Sequence, residues 1–116
     1  SATLIPPNNP APTARSVKAG YPVTPITEEI KLVFGKNAAI ALAISYCESG
    51  FNSLVVSRTS DVGVFQINLA AHGAVIPGAT RAEKIVWLQN YKNNIQFAYQ
   101  LFQRSGWTPW VCLRLI

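Results

Sequence analysis

The chain has 116 residues, 49% of them hydrophobic and only 13% charged, with a formal net charge of +5. That is one small domain with one core, too apolar and too sparsely charged to be disordered throughout. The basic residues are scattered and lack interleaved aromatics, which argues against a nucleic-acid partner and leaves a general attraction for polyanions.

Residues 1–25 hold six of the eight prolines. Proline removes backbone donors, and few apolar groups are present to bury, so this stretch reads as an extended, semi-rigid linker. Residues 26–116 form the expected folded domain, with Tyr21 and Val23 packing on it. No basic segment followed by an apolar core opens the chain, so a signal peptide has been removed or the sequence begins after it. The longest apolar run, Ala38 to Ile44, is far short of a bilayer span, so no membrane span is expected.

Thr24-Pro25 fits a helix cap followed by proline at the first helical position. Glu28 and Glu29 suit the early turns, and Ile26, Ile30 and Val33 give an apolar stripe. Gly35 can end this helix, and Asn37 can cap the next. Ala38 to Ser49 reads as a nearly all-buried helix that Gly50 breaks. Ile40, Ile44 and Glu48 are spaced by four, so Glu48 sits on the apolar face at the C-terminal end.

Residues 51–68 lose the helical period and carry β-branched Val55, Val56, Val62, Val64 and Ile67, which predicts a small irregular β-ribbon. Residues 69–79 read as a loop with a helical turn. Thr80-Arg81-Ala82-Glu83 matches a capping box ahead of Ile85, Trp87 and Leu88. Asn93 or Asn94 is expected to cap a last helix with Ile95, Ala98, Tyr99 and Phe102 as its stripe. Gly106 stops it. Trp87, Phe97 and Phe102 read as core, and Trp110 as either a core lid or a sugar-stacking ring.

The chain has only five acidic residues. On an apolar face at a helix C-terminus, Glu48 is desolvated and faces the negative end of the helix dipole, and both effects raise a carboxyl pKa. Asp61 lies among polar turn residues and is expected to stay ionised. Two carboxyls whose pKa values are pushed apart divide acid and base work, as glycoside cleavage requires. The plainer alternatives are a helix-end ion pair for Glu48 and a turn residue for Asp61. His72 is the only histidine and lacks a partner cluster, so neither metal nor cofactor is expected. Ser45 and Ser49 lack a nearby base, which argues against a nucleophilic serine. Cys47 and Cys112 are two buried thiols or one bridge; by spacing a bridge would stabilise by about 4 kcal/mol and would need an oxidising compartment.

Tyr46-Cys47-Glu48-Ser49-Gly50-Phe51-Asn52, followed by Asp61 to Asn68, resembles the lysozyme-like superfamily of lytic transglycosylases, animal lysozymes and resuscitation-promoting factors. Asn94-Ile95 and Gly106-Trp107-Thr108-Pro109-Trp110-Val111-Cys112 extend the similarity, which covers roughly residues 27–112. The resemblance implies a mainly α, lysozyme-like fold with a small β-ribbon. It also implies a monomeric enzyme that cleaves the β-1,4 bond between N-acetylmuramic acid and N-acetylglucosamine of peptidoglycan. Glu48 would be the catalytic acid, and Asp61 stands where animal lysozymes have their second carboxylate. Ser49, Gln66, Asn68, Tyr99 and Trp107 would contact the sugar, Trp107 packing beside Glu48. Similarity to resuscitation-promoting factors implies a Cys47–Cys112 bridge. The expected location is secreted or in the cell envelope, a phage-associated one included. Two departures matter. The stretch from Glu48 to Asp61 is shorter than in animal lysozymes, and many lytic transglycosylases work with one Glu, which leaves hydrolysis and anhydro-sugar formation both open. A wall-binding module without activity is the alternative function.

Overall fold

The computed structural model describes residues 20–115, with side chains through Leu113. Most of the proline-rich stretch expected as a linker, residues 1–19, lies outside the described residues. Helix α1, Pro25–Phe34, begins as expected. The Thr24 hydroxyl accepts from the Thr27 N–H at 3.1 Å, and the Thr27 hydroxyl accepts from the Thr24 N–H at 2.8 Å. This reciprocal pair satisfies two donors that a helix start leaves open. Its most buried residues are Thr27, Ile30 and Phe34, with Ile26 and Val33 beside them, so the buried face lies slightly around the helix from the expected stripe. Tyr21 packs on Tyr46 and Phe51, whereas Val23 is 76% exposed and does not pack as expected.

Helix α2, Ala38–Ser49, buries Ala41 through Ser45 without interruption. Asn37 precedes it but makes no side-chain cap bond. The 3₁₀ turn Gly35–Asn37 leads straight into the helix, and Gly35 O already takes the Ala38 N–H. Gly50 ends α2 in the left-handed region at φ 63°, where a side chain would be strained. By length and composition Pro25–Ser49 could cross a membrane. It is divided by the 3₁₀ turn, however, and its second half supplies core.

The ribbon is shorter than its β-branched residues predict. Strands β1, Asp61–Val62, and β2, Ile67–Asn68, pair antiparallel with Asp61 opposite Asn68, and Val56 adds one bridge to Val62. The short α3, Leu69–His72, and the 3₁₀ turn Gly73–Val75 form the expected helical turn. Helix α4, Arg81–Gln89, carries the expected Thr80–Glu83 capping box. Helix α5, Tyr91–Ser105, starts a turn earlier than expected, because Asn90 is its cap and accepts from the Lys92 and Asn93 N–H groups.

The core gathers Ile30 and Phe34 of α1, Ile44 of α2, Val62 to Ile67 of the ribbon, Leu88 of α4 and Ile95 of α5. Trp110 is fully buried, and its indole N–H donates to Phe65 O at 3.0 Å, so it is core and not a sugar platform. Trp87 and Phe102 are only partly buried at the edge of this core, while Phe97 is buried. A final 3₁₀ turn, Val111–Leu115, lies against α2, and there Cys47 and Cys112 are joined by a disulfide with Cα atoms 6.1 Å apart.

Candidate functional site

Glu48 stands on the last turn of α2, where continuous burial of the helix carries it to the core's rim. Burial raises its pKa above the ordinary Glu range, and the negative charge of Asp61 adds to this; a backbone hydrogen bond from Cys112 works in the opposite direction. The disulfide at the adjacent Cys47 holds that backbone in place. Glu48 thus holds its proton to higher pH than an exposed Glu would, the direction that suits a general acid. Its neighbour Ser49 turns inward, donating to Val64 O at 2.7 Å and to Ser45 O at 3.2 Å, which fastens the end of α2 to the ribbon's turn.

Asp61 is 4% exposed at the start of β1. Burial alone would raise its pKa, but hydrogen bonds from Thr59, Asn68 and Ser57 outweigh it and leave the pKa lowered. Oδ2 accepts from the Ser57 hydroxyl at 2.7 Å and from the Thr59 hydroxyl, and Oδ1 accepts from Asn68 Nδ2 at 2.8 Å. Asp61 is therefore an ionised carboxylate with both oxygens occupied by its own loop. Asn68 spends its other groups similarly: Nδ2 also donates to Thr59 O, and Oδ1 caps α3 at the Ala71 N–H. The Gln66 amide donates to Gly63 O at 3.1 Å and Val55 O at 3.3 Å from a residue at φ 50°.

Sequence reasoning missed the residue that holds this loop from behind. Asn94, expected as a possible helix cap, is fully buried. Its Nδ2 donates to Val62 O at 2.8 Å and Leu88 O at 2.9 Å, while its Oδ1 accepts from the Phe65 N–H at 2.9 Å. The loop can approach so closely only because residue 63 is glycine. A Cβ there would lie 2.5 Å from Asn94 Nδ2 and 2.7 Å from Leu88 O, and the backbone is at φ 76°. The signal was available as Gly63 and an Asn one turn inside a helix, but their pairing across 31 residues was not.

Tyr99 and Trp107 lie together in an aromatic cluster around Phe34. Tyr99 meets Phe34 edge-on at 5.2 Å, and Trp107 stacks on Phe34 at 5.9 Å and meets Phe102 at a tilt at 4.1 Å. Both rings are partly buried. Elsewhere a groove of about 580 Å³ runs between the α3 segment and the C-terminal half of α5, lined by His72, Ala74, Phe97, Leu101 and Arg104 among others. It continues past Trp87, Gln96 and Gln100 through the shared residues Val75, Phe97 and Arg104. Aromatic faces interleaved with amides and a cation are the chemistry that holds sugars. Among the described residues no group of three His, Cys, Asp or Glu side chains could hold a metal.

A family model described as Transglycosylase SLT domain matches residues 26–106. No curated protein and no solved structure matches the chain.

Proposed function

The chain belongs to the transglycosylase SLT domain family, whose lysozyme-like fold it shares, and from that premise we propose that it cleaves the β-1,4 bond between N-acetylmuramic acid and N-acetylglucosamine in peptidoglycan. The observation that carries this is Glu48, a carboxyl whose pKa is raised by burial and which feels the charge of Asp61. Glu48 donates its proton to the glycosidic oxygen as the C1–O4 bond breaks, and the N-acetylglucosamine side leaves as an alcohol. The ionised Glu48 then takes a proton from the group that attacks C1.

With both oxygens engaged, Asp61 acts through its charge and by positioning the loop, not as a nucleophile. This favours a mechanism with one Glu, in which the substrate's own N-acetyl oxygen assists at C1. Attack by the sugar's 6-hydroxyl then yields a 1,6-anhydro end. We assign the aromatic faces of Tyr99 and Trp107 and the groove along α5 to the glycan; Ser49, Gln66 and Asn68, expected to contact the sugar, spend their donors inside the fold and shape the loop instead. The disulfide and a wall substrate both support an extracytoplasmic setting for the domain.

The test is Glu48→Gln, which keeps the shape and removes the proton. Release of soluble muropeptides from purified sacculi should fall by about 10²–10⁴-fold, the usual contribution of a general acid. Native-rate release by this variant would overturn the assignment. Sacculus binding without release by the unaltered protein would favour a wall-binding module. Mass analysis of wild-type products checks the final step, since a hydrolysed end carries one water more than an anhydro end.

A further inference from the structure

A second concavity lies on the far side of the α3 segment. It has a volume of about 510 Å³ and is lined by Thr59 and Ser60, by Ala70, Gly73 and Ala74, and by Arg81 and Lys84. Arg81 and Lys84 are three apart on α4, so they share a face. Arg81 is braced by one bond, Nη2 to Ser60 Oγ at 2.8 Å, and its remaining donors are uncommitted to any carboxylate among the described residues. Lys84 Nζ is braced on Gly73 O and keeps two further protons. The neighbouring Glu83 is occupied with Thr80 through the capping box. Two braced cations without a carboxylate partner among the described residues, with the Ser60 hydroxyl beside them and small residues between, form a receptor for a carboxylate on a slender chain.

The position links this receptor to the groove proposed for glycan. Ala74 lines both, and the α3 segment, Leu69–His72, with Gly73 separates them. Thr59 both lines the concavity and donates to Asp61, which ties the receptor to the loop of the candidate site. We propose that the Arg81–Lys84 concavity binds a carboxylate of the peptide stem that branches from peptidoglycan glycan, so that the domain reads peptide-bearing strands. This rests on the function proposed above for its substrate, but binding can be tested apart from turnover.

The test uses the double variant Arg81→Gln/Lys84→Gln and a soluble stem tetrapeptide. Titration of the unaltered protein should shift the amide resonances of Ser60, Gly73 and Ala74. Those shifts should vanish in the double variant and with a peptide whose carboxylates are amidated. On sacculi, the double variant should raise KM on the order of tenfold, the scale of two charge-assisted contacts. On glycan strands stripped of peptide, KM should not change. Absent peptide shifts at those residues would overturn the proposal. So would equal losses on stripped and peptide-bearing strands, or shifts produced by a teichoic-acid phosphodiester and not by the peptide. If the unaltered protein binds the peptide yet releases nothing from either substrate, the catalytic reading fails and this one stands.

Discussion

Burial raises the pKa of Glu48 above the ordinary Glu range, and this has a thermodynamic signature. A carboxyl with a raised folded pKa contributes stability that is fully present below the unfolded value, about 4.3 for Glu. It is lost as pH rises through the folded pKa. Glu48→Gln, always neutral, is therefore expected to melt with the wild type at pH 3 and above it at pH 7. A melting difference that does not change with pH would show that the carboxyl is not held in this way. Asp61 has the opposite sign. Its lowered pKa contributes stability above the unfolded value of about 3.9, lost as pH falls through the folded pKa. Asp61→Asn should melt below wild type at pH 7, with the gap closing on acidification, as followed by circular dichroism. Glu48 could be located by spacing, because Ile40 and Ile44 define the face it shares. The environment of Asp61 was read as polar correctly. That Ser57, Thr59 and Asn68 fill both its oxygens depends on a loop closure that no local pattern expresses.

At the scale of elements, the ribbon is too short to hold itself, with two residues in each strand. Its geometry comes from Asn94 on α5, from Ser49 on α2 and from the absence of a side chain at Gly63. Asn94→Ala would leave Val62 O, Leu88 O and the Phe65 N–H buried without that partner. The expected cost is about 3 kcal/mol, since one unsatisfied buried group costs about 1–3. Urea unfolding should show this as a lower midpoint, and a shift under about 0.5 kcal/mol would remove Asn94 from this role. Gly63→Ala should lower the same midpoint through steric overlap and the positive φ. Helix ends were legible because caps are chemistry between near neighbours, as Thr24 with Thr27 and Thr80 with Glu83 show. Asn94 misled for the same reason. Asparagine's local preference is for a cap, and its partners across the chain become visible only when α5 lies against the ribbon.

On the scale of the whole molecule, one covalent link joins the end of α2 to the final 3₁₀ turn, across 65 residues. A loop of that length implies about 4 kcal/mol in the chain-entropy model. Cys47→Ser with Cys112→Ser should lower the melting temperature measurably. It should also lower Glu48-dependent lysis at temperatures where the variant is still folded, because the Cys112 backbone beside Glu48 is released. Unchanged lysis by the folded variant would confine the bridge to stability. The sequence by itself determined the helices, the caps at Thr24 and Thr80, the break at Gly50 and the apolar face that Glu48 shares, since each depends on spacing within a few residues. Only the tertiary structure decided that Trp110 is core, that Asn94 carries the loop and that Asp61 is occupied. It alone brought Arg81, Lys84 and Ser60 around one concavity. Those facts belong to contacts between distant segments, where a polar atom's role is set by whichever partner the fold brings to it.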